Sequence, residues 1–240
     1  MRLKMIIGLT ILAVFIVFIL VVLLYHNNAY PESQEIADEM EMEGRDYWFY
    51  GDTGVGFIIF TGAKVDEPGY AYIAGQLHEE GHTVVIPNQI FTMSVFGTNH
   101  AIEIMKEHTE VNKWILVGHS LGGVPVSRVA EQAPEYLTGI VYLASYSFSD
   151  LSGFDFPALR ITADHDGVMN NERMENYAHN LPAGSETVEL EDANHRGFGG
   201  YFSRFSREED VALTWQEQNT ICVNLILDFY AEQIKDAENK

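Results

Sequence analysis

Apolar and polar positions in this chain follow two patterns: one long unbroken apolar run, then short apolar runs separated by helix-length amphipathic segments. The long run, residues 5–24, holds no charged side chain. At about 1.5 Å per helical residue it matches a hydrocarbon core of about 30 Å, so it is expected to be a membrane-spanning helix. An uncleaved anchor is favoured over a signal peptide, whose apolar region is about 7–15 residues and ends at a small-residue site. Here Tyr25-His26-Asn27-Asn28 follows instead. Arg2 and Lys4 precede the run and no Lys or Arg follows until Arg45. The positive-inside rule then predicts a single-pass protein of the cell membrane, with a cytoplasmic N-terminus and the remainder on the outer side.

The short runs fall at residues 47–50, 55–60, 83–86, 114–117, 140–143, 158–162 and 187–190, and have the length and composition of buried strands. Helix-length segments lie between most of them, at 70–80, 100–108, 121–132 and 170–180, with stops at Gly81, Pro134 and Pro182. Thr214 with Glu217 three residues on reads as a capping box. It opens a last helix with Ile221, Leu225, Ile226 and Phe229 on one face. Near-continuous apolar strands alternating with helices predict an α/β fold, a mostly parallel sheet with helices on both faces. The runs 47–50 and 55–60, joined by Gly51-Asp52-Thr53-Gly54, read as an antiparallel hairpin. The expected organisation is an anchor at 1–25, an acidic spacer with a short helix at 26–44, and one domain at 45–240.

Composition narrows the partners. Fourteen Lys and Arg against 35 Asp and Glu give a net charge of -21, which lacks the basic footprint that nucleic-acid binding requires. One cysteine, Cys222, excludes an intramolecular disulfide and sits in the last helical pattern as a core residue.

Chemistry enters at Gly118-His119-Ser120-Leu121-Gly122-Gly123, which follows a strand and precedes a helix. That is the setting a nucleophile elbow needs, with Ser120 at the apex and glycines where a Cβ would collide. A serine hydroxyl requires a base, and the base requires a carboxylate to fix its tautomer, so an acid and then a histidine are expected at later strand ends. Asp164-His165-Asp166-Gly167 follows the run 158–162, and Asn194-His195 follows 187–190. His195 is the expected base. Asp166 is preferred over Asp164 because Gly167 supplies a turn to aim it, while Asp164 suits a loop-capping role. His78-Glu79-Glu80-Gly81-His82 satisfies the H-E-x-x-H pattern, but Gly81 should end the helix before His82 joins His78 on one face. No P-loop, dinucleotide fingerprint or cysteine-based metal spacing occurs, so no metal and no cofactor are expected.

The GHSLGG elbow, the DG acid loop and the NHxxFG histidine loop together resemble the small capless members of the α/β-hydrolase superfamily, over roughly residues 45–236. The resemblance implies a triad of Ser120, Asp166 and His195. It also implies an oxyanion hole from the Leu121 N–H and a second N–H in the loop after an early strand, where Gly62 and Ala63 both qualify. Loops at the carboxyl ends of strands form the site in such sheets. The apolar segment 87–96, with Asn88, Ile90 and Phe91, is therefore a candidate substrate pocket. Only 144–157 separates two strands where a lid would be inserted, so an open site is expected. The expectation is hydrolysis of small or medium carboxylic esters through an acyl-enzyme on Ser120. A peptidase or acyltransferase would use the same residues, and a catalytically idle member would bind a ligand or partner.

Overall fold

In the computed structural model, which describes residues 2–203, 208 and 210–238, eight strands form a single sheet. They are β1 (Glu41–Glu43), β2 (Asp46–Phe49), β3 (Val55–Phe60), β4 (Thr83–Ile86), β5 (Lys113–His119), β6 (Leu137–Leu143), β7 (Ala158–Ala163) and β8 (Glu186–Leu190). Their order is β1-β2-β4-β3-β5-β6-β7-β8, with β4 through β8 parallel and the β1 and β2 edge antiparallel. The central strands are mostly apolar and buried at nearly every position because both faces are covered. Phe57, Ile59, Ile115 and Val117 pack on one side, against α3 (Ala71–Glu79) and α7 (Trp215–Glu238). Ile58, Phe60, Trp114 and Leu116 pack on the other, against α4 (Thr98–Glu107) and α5 (Gly123–Gln132). The α/β fold read from the sequence is thus the observed one.

The last helix starts as its capping box predicts. Glu217 N–H donates to Thr214 Oγ1 at 3.2 Å, and Thr214 N–H donates back to Glu217 Oε2 at 2.8 Å. Cys222, Val223, Ile226 and Phe229 are buried against the sheet. Segment 144–157 carries no helix, in keeping with the absence of an inserted lid there.

Three expectations are corrected. The hairpin between 47–50 and 55–60 does not form. β2 pairs with β4, Tyr47 opposite Ile86, because the connection carries Asp52 and Thr53 across to donate to the Gly81 carbonyl. An alternating pattern fixes which face a strand buries, not which neighbour it takes. The segment 26–44 is packed onto the domain. Its helix α2 (Pro31–Asp38) buries Ser33 and Ala37, Ser33 Oγ donates to the Pro68 carbonyl at 2.7 Å, and its end leads into the edge strand β1. That strand, Glu-Met-Glu, is exposed at all three positions and has no apolar pattern to reveal it, while its charges suit a sheet edge. Lastly, α1 (Arg2–Leu24) is a helix, but among the described residues no helix is long and apolar enough to cross a membrane. The expectation of a membrane-spanning N-terminal helix is corrected on that finding.

Thr214→Ala is expected to cost about 1 kcal/mol of unfolding free energy, because it removes the cap that starts α7. Urea titration checks this, and an unchanged midpoint would show that the box contributes nothing.

Candidate active site

β5 is buried from Trp114 to His119 and delivers Ser120 into a single turn of 3-10 helix, Ser120–Gly122, that continues as α5. Ser120 has φ 52°, a left-handed conformation that costs a non-glycine residue about 1–3 kcal/mol and persists only when its surroundings enforce it. The enforcement is steric. A Cβ on Gly118 would lie 2.6 Å from the Gly122 carbonyl oxygen, and one on Gly122 would lie 2.9 Å from the Phe60 carbonyl carbon. Only glycines let the turn sit this close to β3. Ser145, just beyond β6, donates its hydroxyl to the Ser120 carbonyl at 2.6 Å and holds the turn from the other side.

The acid and the histidine come together across the ends of β7 and β8. His195 Nδ1–H donates to Asp166 Oδ2 at 2.8 Å, and both side chains are buried. Asp166 Oδ1 accepts from the N–H groups of Val168 and Met169 at 2.9 and 2.8 Å. Burial pushes the Asp166 carboxyl up, but the His195 hydrogen bond and charge, together with the two N–H groups, outweigh it and hold it below the ordinary carboxylate range. An ionised Asp166 only accepts, so Nδ1 carries the proton and Nε2 of the neutral ring is the basic nitrogen. Asp164 takes the capping role instead, accepting from Asp192 and Ala193 N–H at 3.1 Å each.

The first turn of α7 holds the histidine loop. Gln218 exchanges hydrogen bonds with the Asn194 backbone, and Asn219 donates to the Gly197 carbonyl at 2.8 Å. Glu208 accepts from the consecutive N–H groups of His195 and Arg196.

On the opposite wall, the loop after β3 distinguishes the two oxyanion candidates. The buried Gly62 N–H donates to the Tyr70 hydroxyl at 2.8 Å, whereas the Ala63 N–H has no partner among the described residues. The next residue, Lys64, has φ 60°, and its N–H and Nζ donate to the carbonyls of Thr92 and Phe91 at 2.8 and 3.1 Å. Asn27, from the segment expected as a spacer, donates its N–H to the Lys64 carbonyl at 2.6 Å.

These walls enclose a cavity of about 220 Å³ whose lining includes Ser120, His195, Gly62, Ala63, Val168 and Asn27. Asn88 and Ile90 lie elsewhere. They line a separate cavity of about 430 Å³ with Asp46, Trp48 and His100, and Phe91 borders neither. The segment 87–96 therefore reaches the site through its backbone support of Lys64 rather than through its apolar side chains. Asn88 is engaged by Glu67, at 3.3 Å from its amide to Oε1. In the H-E-x-x-H stretch the helix ends at Glu79, Gly81 has φ 84°, and His82 leaves the axis to meet Thr53 at 2.8 Å.

Tyr70, Ser145 and Glu208 support the site and were not singled out by sequence reasoning. They reach their partners across 8 to 49 residues of chain. No motif or periodicity encodes such contacts; only the adjacency of strand ends does.

No curated protein sequence matches the chain. Among solved structures, an α/β-hydrolase enzyme from the metagenome of sediments of the lagoon of Mar Chica, Morocco, superposes with a TM-score of 0.62 at 15% identity, covering 81% of this chain and 98% of that one. A thermophilic esterase from Thermogutta terrifontis gives 0.59 at 12% identity, covering 81% and 97%. A carboxylesterase from Bacillus subtilis gives 0.56 at 12% identity, covering 82% and 95%. At these identities the likeness is one of fold. The sequence itself matches the alpha/beta hydrolase family over residues 56–219, the stretch from β3 to the first turns of α7 that carries the elbow, the acid loop and the histidine loop, and the chain belongs to that family.

Proposed function

We propose that the protein is a serine hydrolase that cleaves carboxylic esters of small molecules. The observation that carries this reading is the buried Asp166–His195 hydrogen bond at the rim of a cavity that His195 shares with Ser120. Two structures of the same fold are named as esterases, which supports the choice of ester.

In this reaction Ser120 Oγ attacks the ester carbonyl while His195 Nε2 takes its proton. Asp166 stays ionised and stabilises the imidazolium. The carbonyl oxygen becomes an oxyanion held by the N–H groups of Leu121 and Ala63, since Gly62 already donates to Tyr70. His195 then returns the proton to the departing alcohol, leaving an acyl group on Ser120. A water, deprotonated by the same nitrogen, releases the acid and restores the serine. The cavity, at about 220 Å³, is below the usual range of about 300–1,000 Å³ for ligand pockets and suits a short acyl group.

Ser120→Ala is expected to abolish turnover of p-nitrophenyl acetate while circular dichroism and the urea midpoint stay at wild-type values. A fluorophosphonate probe should label the wild type and not the variant. Retained hydrolysis would remove Ser120 from the mechanism.

Asp166→Asn should reduce kcat by about 10⁴-fold, since an amide leaves the imidazole in the wrong tautomer. It should also change the response of stability to acid. A carboxyl lowered in the fold contributes stability above its unfolded pKa of about 3.9, and that contribution is lost as pH falls through the lower folded value. The difference in unfolding free energy between wild type and Asp166→Asn should therefore narrow between about pH 5 and pH 2. A pH-independent difference would contradict the depressed carboxyl.

A further inference from the structure

The sequence Tyr70 → His119 → Ser120 links the oxyanion loop to the nucleophile through a group the reaction itself does not use. Tyr70 is fully buried at the end of the short 3-10 turn Glu67–Tyr70 that leads into α3. Its oxygen lies 2.8 Å from the Gly62 nitrogen and 2.6 Å from His119 Nδ1. The Gly62 N–H can only donate, so the Tyr70 oxygen accepts there and its single hydrogen is left for His119 Nδ1. With His119 kept neutral by burial, that ring's own proton then sits on Nε2. Burial keeps the phenol protonated by pushing its pKa up. Burial, followed by the charge of His195, lowers the His119 pKa well below the usual imidazole value. The His119 ring lies 4.7 Å from that of His195, so a charged His119 would oppose the imidazolium that forms there during the reaction.

We infer that Tyr70 is a positioning residue: its hydroxyl turns the Gly62 N–H away from the reacting carbonyl, leaves the Ala63 N–H as the second oxyanion donor, and fixes His119 neutral directly before Ser120. The inference rests on the serine-hydrolase reading above. The fit is close. A Cβ on Gly62 would stand 3.0 Å from His119 Nδ1 and 3.1 Å from the Tyr70 hydroxyl, so an added methyl would press both apart by a few tenths of an ångström. Without the hydroxyl, both Gly62 N–H and His119 Nδ1 lose their partners in a buried position. The loop would then shift so that Gly62 recovers an acceptor, carrying Ala63 with it. An oxyanion donor is worth about 10²–10³ in kcat when removed outright, so a displaced one should cost about 10–100-fold.

The test compares wild type, Tyr70→Phe and Tyr230→Phe on p-nitrophenyl acetate, with Ser120→Ala as the inactive reference. Tyr230 donates its buried hydroxyl to the Ile140 carbonyl at 2.9 Å and so controls for loss of any buried tyrosine hydrogen bond. Tyr70→Phe should lower kcat about 10–100-fold with KM within about twofold. Its affinity for a trifluoromethyl ketone, which places an oxyanion on Ser120, should fall by the same factor as kcat/KM. Tyr230→Phe should keep both values. If Tyr70→Phe does not fold, Gly62→Ala forces the same contact apart and should show the same split. A kcat within twofold of wild type, or a loss of kcat with unchanged ketone affinity, would overturn the role of Tyr70. Absence of ester turnover in the wild type, or turnover surviving in Ser120→Ala, would instead overturn the serine-hydrolase reading and the inference with it.

Discussion

The approach of the Gly122 backbone to the Phe60 carbonyl is the contact on which the site depends. β3 and β5 are neighbours in register, Phe60 opposite Gly118, so the turn leaving β5 must pass over the end of β3 without a side chain in between. That passage twists Ser120 into the left-handed region and starts α5 at a fixed angle to the sheet. It also sets the loop after β3 beside the serine, so the elbow and the proposed oxyanion loop are products of one packing constraint. The strain at Ser120 is sustained by the buried strands below it, whose apolar faces cannot move apart without exposing the core.

Protonation around the serine is divided by environment. Asp166 and His119 are both largely removed from water, yet the fold keeps one charged and the other neutral. Asp166 is supplied with two N–H donors and an imidazole, enough to offset the loss of hydration. His119 receives a hydroxyl proton at one nitrogen and has no carboxylate partner among the described residues. The result is a histidine paired with a fixed negative charge, beside a second histidine that burial keeps neutral. Two imidazoles with centroids 4.7 Å apart would otherwise compete for the same proton.

Seven of the eight strands and the α7 cap were legible in the sequence because each has a local signature, and signatures of the same kind singled out Ser120, Asp166 and His195, the residues of the proposed triad. β3 and β4 are recovered to the residue, since buried parallel strands are apolar throughout and end abruptly. What a single sequence does not encode is partner choice. The pairing of β2 with β4 and the strand character of Glu41–Glu43 depend on what lies beside them in space. The pocket failed for a related reason. Ile90 and Phe91 are large and apolar in a loop at the correct end of the sheet, but Ile90 faces a neighbouring cavity and the carbonyl of Phe91 is what serves the site. Hydrophobicity marked the right loop and the wrong atoms.

The site also draws on chain outside the stretch that matches the family. Residues 27–30 run between the loop after β3 and the segment that follows His195. Asn27 bonds to the Lys64 carbonyl, its own carbonyl accepts from Asp66, and Tyr30 N–H donates to the Gly200 carbonyl at 2.8 Å. The Tyr30 ring stacks 5.6 Å from that of Trp215, the first residue of α7. One strip of backbone thus braces the oxyanion loop, the histidine loop and the helix that holds the histidine loop. A parallel sheet alone leaves the crevice at its carboxyl ends open on this side. Asn27 of this strip lines the cavity of about 220 Å³ at Ser120. A segment that carries no motif thus forms part of the wall beside Ser120.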